Sequence, residues 1–312
     1  MIQLSIGVTS YAAEDPGTWE PLFDAARIAD QAGVDRLVVS DHVVFGERLE
    51  EYSRPEIGGS AGGKQPTGPD GHWLEPLTTL SVLAGMTSRI RLGTNILVAA
   101  LRRPAVLAKS TATLDVLSGG RLDLGVGVGW QREEYDAAGL DFDQRGRLLD
   151  HSLEVCQTLW REQRAAYDSP ELHFEATHMM PKPLQPGGVP IWVSGTINPR
   201  VVRRLARFGS GWIPWGPAAA DPVKGIAEMR ERLAEAGRDP EGLQVTGTLK
   251  LVKGDDGALD LDRTMEVVPA LAEAGLTDLR IQFRLLDGSS AAVDELRAVV
   301  TAFRAAAGRP AV

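Results

Sequence analysis

The chain is poor in cysteine, in net positive charge and in long apolar runs, and each shortage closes off a class of protein. Cys156 is the single cysteine in 312 residues, so no internal disulfide forms and a reducing, cytoplasmic setting is expected. The formal net charge of −9 argues against nucleic acid or an anionic membrane surface as the main partner, since either needs a basic patch. No apolar run is long enough to span a membrane. The first residues, Ile2–Val8, read as a strand, without the basic region and apolar core of a signal peptide. The 5 histidines show no metal-ligand spacing, so no metal site is expected. A Gly-x-Ser-x-Gly elbow is absent, which leaves hydrolase chemistry of that type unsupported. Gly58 and Gly63-Lys64 have the spacing of a phosphate-binding loop, but Gln65 stands where a magnesium-holding hydroxyl belongs. A flexible lid is the better reading there.

What is present is a strict alternation of strand-like and helix-like segments. Hydrophobic residues make up 43% of the chain, ample for a large core. Strands are expected at Ile2–Val8, Arg36–Ser40, Arg91–Leu97, Leu122–Val128, Pro190–Ser194, Gly211–Pro214, Leu243–Leu251 and Asp278–Phe283. Helices follow them, from about Thr18, Pro76, Pro104, Arg145, Pro199, Pro222 and Asp262, with the last closing near Ala307. Proline at first helical positions and glycine at helix ends, as at Pro104 and Gly119-Gly120, sharpen these limits. Strand–helix alternation means a parallel sheet with helical crossovers. Eight such units favour an α/β protein of the (β/α)8 TIM-barrel class, read as a single domain over residues 1–312. A long loop after strand 2, from about Gly46 to Trp73, and a proline-rich insertion at Ser169–Gly188 before strand 5 interrupt the rhythm. A hairpin suits the insertion. Cys156 shares a helix face with Leu149, Leu153 and Trp160, which indicates core packing rather than a nucleophile.

In a barrel of this kind chemistry sits at the C-terminal ends of the strands. That rule selects Thr9–Tyr11, Asp41-His42, Asn95-Ile96, Gly127–Trp130, Ser194–Thr196, Trp215 and Gln282–Arg284. The fourth strand is the most unusual, because Gly125, Gly127 and Gly129 strip one face of side chains. Either a flat ligand lies against it, or the glycines only permit tight packing. It is no dinucleotide fingerprint, since Trp130 occupies the place of the third glycine. After Ser194, Gly195 allows a tight turn, and Asn198-Pro199 reads as an N-cap and first helical residue. The helix start there offers N–H groups and a positive dipole end to a phosphate. An ordinary capped turn is the plain alternative. His42 carries the side chain best suited to proton transfer near neutral pH, or else packs as a wall of the pocket. Trp73, Trp130 and Trp215 suggest an aromatic-lined pocket, or ordinary core.

Several motifs, in order, resemble the luciferase-like monooxygenase superfamily over nearly the whole chain. They are Ser40-Asp-His-Val43, Leu92-Gly-Thr-Asn-Ile-Leu97, Leu114–Leu122, Leu124–Tyr135, Gln144-Arg-Gly-Arg147, Pro190–Gly195 and Gly211-Trp-Ile-Pro214. The resemblance is to the branch that uses coenzyme F420, a deazaflavin, or FMN. It implies a barrel that usually dimerises, hence a homodimer acting on a small-molecule substrate. The implied cofactor site comprises Asp41, His42, Asn95, Ile96, Gly127, Gly129, Trp130, Ser194, Gly195 and Thr196, with His42 as the catalytic residue. A non-prolyl cis peptide at Asn95-Ile96 is also implied. The sugar-phosphate dehydrogenases of the family carry a glutamate where this chain has Trp130, which speaks against that substrate. The resulting expectation is an F420-dependent oxidoreductase. An FMN-dependent monooxygenase using oxygen is the first alternative, and a barrel that binds the cofactor without turnover is the second.

Overall fold

Short runs rich in leucine, isoleucine and valine, buried from both sides, form eight parallel strands that close into a barrel. In the computed structural model, which describes residues 1–58, 63–283 and 290–310, these are β1 (Gln3–Gly7), β2 (Arg36–Val39), β3 (Arg91–Thr94) and β4 (Leu122–Val126). They continue with β5 (Ile191–Gly195), β6 (Gly211–Pro214), β7 (Gln244–Thr248) and β8 (Asp278–Ile281). Each strand pairs with its neighbours in chain order, and β8 closes on β1 through pairs such as Gln3 with Asp278 and Ser5 with Arg280. The expected TIM barrel is therefore present.

The crossovers are helices α1 (Glu20–Ala32), α2 (Pro76–Met86), α3 (Pro104–Leu117), α4 (Arg145–Arg161), α5 (Pro199–Phe208) and α6 (Pro222–Glu235). Their limits follow local chemistry. The Asp221 and Asn198 side chains accept from backbone N–H groups of the first turns of α6 and α5. Gly33, at φ 97°, ends α1 in the left-handed region that glycine enters without strain. The seventh crossover, expected as one helix, is two short ones, Leu261–Met265 and Val268–Glu273, because Pro269 can open a helix but not continue one. The closing helix, Ser290–Ala306, returns along α1.

Strand residues facing the helices make the apolar core, Leu4, Ile6, Leu37, Leu92, Leu124, Val193 and Leu279 among them. Cys156 belongs to it, with its thiol against the Pro104 carbonyl and its pKa pushed up by burial, so the thiol is inert. The barrel interior is different. Arg36 bridges Asp123 at 2.8 Å and Asp278 at 2.7 Å, Arg91 adds a second cation to Asp123, and Ser5 donates to Asp278. Asp123, which breaks the apolar pattern of β4, is thus a pillar of an ionic layer beneath the mouth.

Two small ribbons stand outside the barrel. Ala165–Asp168 pairs antiparallel with His173–Thr177, so the insertion is a hairpin that begins a few residues before the proline-rich stretch. Tyr11–Ala12 pairs with His72–Trp73, tying the end of the long loop to the segment after β1. That loop also holds a 3-10 turn at Leu49–Ser53 and a short helix at Pro55–Gly58. The residues between Gly58 and Gly63 and the position of Arg284 lie outside the described residues.

Candidate active site at the barrel mouth

A cavity of about 760 Å³ opens at the C-terminal ends of β1, β2, β3, β7 and β8. Its size suits a cofactor or a drug-sized ligand. The expected site residues Thr9, Tyr11, Asn95 and Gln282 line it, together with Ser40, Thr248 and Arg280. The Asn95-Ile96 peptide is cis, as the resemblance implied, and follows directly after β3, which is why that strand stops short of Leu97. The Asn95 carboxamide oxygen and the Ser10 hydroxyl are buried without hydrogen-bond partners. Buried polar atoms of this kind are rare without a function.

The glycines of the β4 segment face protein. A Cβ on Gly125 would lie 2.0 Å from the Thr94 carbonyl oxygen. One on Gly127 would lie 2.8 Å from the Ile96 side chain, and one on Gly129 would lie 3.1 Å from Val98. Their absent side chains make room for the chain after β3, so tight packing explains Gly125, Gly127 and Gly129. Ile96 fills the space over Gly127 rather than lining the cavity. Gly127 and Gly129 are not among the residues that line the mouth cavity.

Asp41 is likewise committed to the frame. It is buried, its two oxygens are held by the Arg102 guanidinium, and Oδ2 also accepts the Val98 N–H at 2.8 Å. Arg102 continues to Glu75 at 2.9 Å, the N-terminal cap of α2. Asp41 thereby fixes the loop after the cis peptide.

His42 meets a different set of groups, none of them visible in its own motif. Its Nδ1 lies 3.4 Å from Glu134 Oε1 and 3.5 Å from Gln131 Nε2. Glu134 is 1% exposed, accepts the Val43 N–H at 2.8 Å, and keeps its second oxygen unpartnered. The imidazole packs on Phe45 at 4.4 Å and on the edge of Trp73 at 4.8 Å, with Trp130 further off. Trp73 stacks on Tyr11 at 4.2 Å, and Tyr11 lines the cavity. His42 therefore borders the mouth through this aromatic wall and is not one of its lining residues. The long loop is laid over the segment after β4. Gly46 N–H donates to Gln131, Arg48 pairs with Glu133, and Tyr52 packs on Trp130. Trp215 Nε1 donates to the Ile57 carbonyl. Trp130 and Trp215 thus hold the lid, although the Trp130 indole N–H has no partner of its own.

The turn after β5 has the expected form. Asn198 Oδ1 accepts from the N–H groups of Arg200 at 3.0 Å and Val201 at 3.1 Å, while its amide reaches back to Thr196. Thr196, Ile197 and Trp215 line a second cavity of about 320 Å³ that also carries Lys224. Ser194, one residue before the end of β5, is half-buried beside Ile213. Gly195 has φ 150°, and a Cβ there would lie 2.8 Å from the Val201 side chain. A bulky substitution at Gly195 disturbs α5 whatever binds nearby.

Asn95 and hydroxyl side chains line the cavity beside an aromatic flank, the Asn95 carboxamide oxygen itself being buried. A cavity of this size at the strand ends, with hydroxyl, amide and guanidinium side chains in its lining and an aromatic flank, stands where TIM barrels hold their ligands. The family model for luciferase-like monooxygenases matches residues 2–274, and the chain belongs to that family. An uncharacterized protein of Mycobacterium tuberculosis is 30% identical over 279 residues, covering 88% of this chain and 92% of the relative. The F420-dependent glucose-6-phosphate dehydrogenase of Kineococcus radiotolerans is 30% identical over 249 residues, covering 78% of this chain and 67% of the relative. The crystal structure of a long-chain alkane monooxygenase superposes with a TM-score of 0.76 at 14% identity, covering 99% of this chain and 92% of that one. This last likeness is one of fold.

Proposed function

We propose that the chain is an oxidoreductase that uses coenzyme F420 to move a hydride to or from an organic substrate. The observation that carries this reading is His42 backed by the buried Glu134 carboxylate. Reducing a carbonyl, or oxidising an alcohol, requires a proton to move with the hydride, and this pair can hold it. Similarity to an F420-dependent dehydrogenase supports the choice of cofactor. Its sugar-phosphate substrate is not carried over, because Trp130 replaces the glutamate of that branch.

When bound, the deazaflavin supplies the two-electron hydride carrier. The chain's own groups do the rest. Asn95 would meet the polar edge of the ring, and the Tyr11–Trp73 stack would shield one side of it from water. Glu134 and Gln131 face Nδ1 of His42, which leaves Nε2, without a partner among the described residues, to exchange the proton. The turn at Ser194, Gly195 and Thr196 would take the cofactor's phosphate at the start of α5, where the neighbouring cavity lined by Thr196 carries Lys224 together with the carboxylates of Asp221 and Glu228. Oxygen consumption by the reduced complex tests the reading. Reduced deazaflavin held by the protein should persist in air without substrate and consume no oxygen on turnover. Uptake of one oxygen per reduced flavin, with FMN as the bound form, would establish the monooxygenase instead.

A further inference from the structure

Among the described residues, the ionic layer inside the barrel carries one cation more than it has carboxylates. Arg36 and Arg91 are matched by Asp123 and Asp278, and the Asp278 oxygens are engaged by Arg36 and Ser5. Arg280 lies two residues beyond Asp278 on β8, and alternation along the strand turns both to the barrel interior. It lines the interior below and the mouth above. No described residue hydrogen-bonds or ion-pairs with its guanidinium. Among the described residues lining the mouth cavity it is the only charged one. Arg280 is half-buried and feels Asp278 only at a distance. A guanidinium that keeps its charge at ordinary pH while partly stripped of water, with no hydrogen-bonded acceptor among the described residues, carries a desolvation cost. Proteins keep such groups where a ligand completes them.

We propose that Arg280 is an anion anchor at the floor of the mouth, taking a negatively charged or electron-rich oxygen of the ligand. A planar fork of N–H donors suits a carboxylate or an oxygen that gains charge on reduction. Two sources share this chemistry. One is the carbonyl edge of a reduced flavin-type ring, which rests on the function proposed above. The other is the carboxylate of an organic substrate, which does not. Thr248, Gln282 and Asn95, on the same wall, supply neutral hydrogen bonds around it.

The test compares wild type with Arg280→Met and Arg280→Lys. Without any cofactor, benzoate and its neutral counterpart benzamide are titrated against each. In parallel, affinities for the oxidised and reduced forms of F420 and FMN are measured. If the anchor serves a substrate, wild type prefers benzoate by tenfold or more, Arg280→Met loses that preference and Arg280→Lys keeps part of it. If it serves the ring, Arg280→Met weakens binding of the reduced form by tenfold or more relative to the oxidised form. With the unpaired charge gone, the empty Arg280→Met protein should melt at or above the wild-type temperature. No tenfold change in either arm overturns the proposal. So does an Arg280→Met protein that melts well below wild type or fails to fold, since the guanidinium would then serve the fold. The benzoate and melting arms need no cofactor, so failure of the F420 reading does not decide them.

Discussion

At the scale of single residues, the site consists of one legible motif and several partners supplied by distant parts of the chain. Ser40-Asp-His42 points to the strand end, but the motif does not reveal that Asp41 and His42 turn to different tasks. Asp41 goes to Arg102, and His42 goes to Glu134. Both partners lie dozens of residues away, and only the closure of the barrel brings them in. Removing the His42 ring as His42→Ala should lower turnover by about a hundredfold while cofactor affinity changes little. Glu134→Gln, which keeps the shape, should lower turnover less and move the pH profile of kcat. Steady-state rates across pH, with cofactor affinity measured separately, check both. Full turnover in His42→Ala would make the ring a mere wall. Asp41→Ala leaves the Arg102 guanidinium without its main partner, and breaking a buried pair costs about 3–5 kcal/mol. Urea unfolding reads that loss directly. For the phosphate turn, Gly195 is a poor probe because of Val201. Thr196→Asp is the better one and should weaken cofactor binding about tenfold or more through like-charge repulsion.

At the scale of elements, the sequence showed eight strand–helix units because most strands are short apolar runs and most helices have a cap or a proline at their start, the helix from Arg145 being an exception. The small elements were less legible. The Tyr11–Ala12 and His72–Trp73 ribbon is two residues a side, too short for any periodicity to register. The glycines of β4 were visible, but their purpose was not, since it depends on which neighbour approaches. The structure gives a neighbour with no freedom to move away, the Thr94 carbonyl. Gly125→Ala should therefore cost about 1–3 kcal/mol of stability and distort the strand end that carries Asn95. Unchanged urea unfolding would contradict the close approach of β3 and β4. Asp30 links α1 to the start of β3. It accepts from the N–H groups of Ser88, Arg89 and Ile90 at 2.7–3.0 Å. Burial alone would raise its carboxyl, but these donors outweigh it and hold it below the usual carboxylate range. A lowered folded-state pKa gives stability that is present above the unfolded value and lost as pH falls through the folded one. Asp30→Asn should flatten the acid limb of a melting-temperature profile below about pH 4.

At the scale of the whole molecule, the barrel divides its labour by depth. The core outside the strands is apolar, the interior beneath the mouth is ionic, and the mouth is polar with an aromatic lid. Composition predicted the large core and the alternation predicted the closed sheet. Neither could predict the ionic layer, because its charges are scattered over β2, β3, β4 and β8 and meet only when the barrel closes. Family membership limits the chain to the chemistry of luciferase-like oxidoreductases, and on the proposals above the choice of substrate would fall to the loop over the mouth and to Arg280. The most direct test of the proposed function is an equilibrium titration of the purified apoprotein with coenzyme F420 and with FMN, followed by cofactor fluorescence. Saturable binding of F420 at least tenfold tighter than FMN is the predicted result. Tight, stoichiometric FMN binding with no measurable binding of F420 would contradict it.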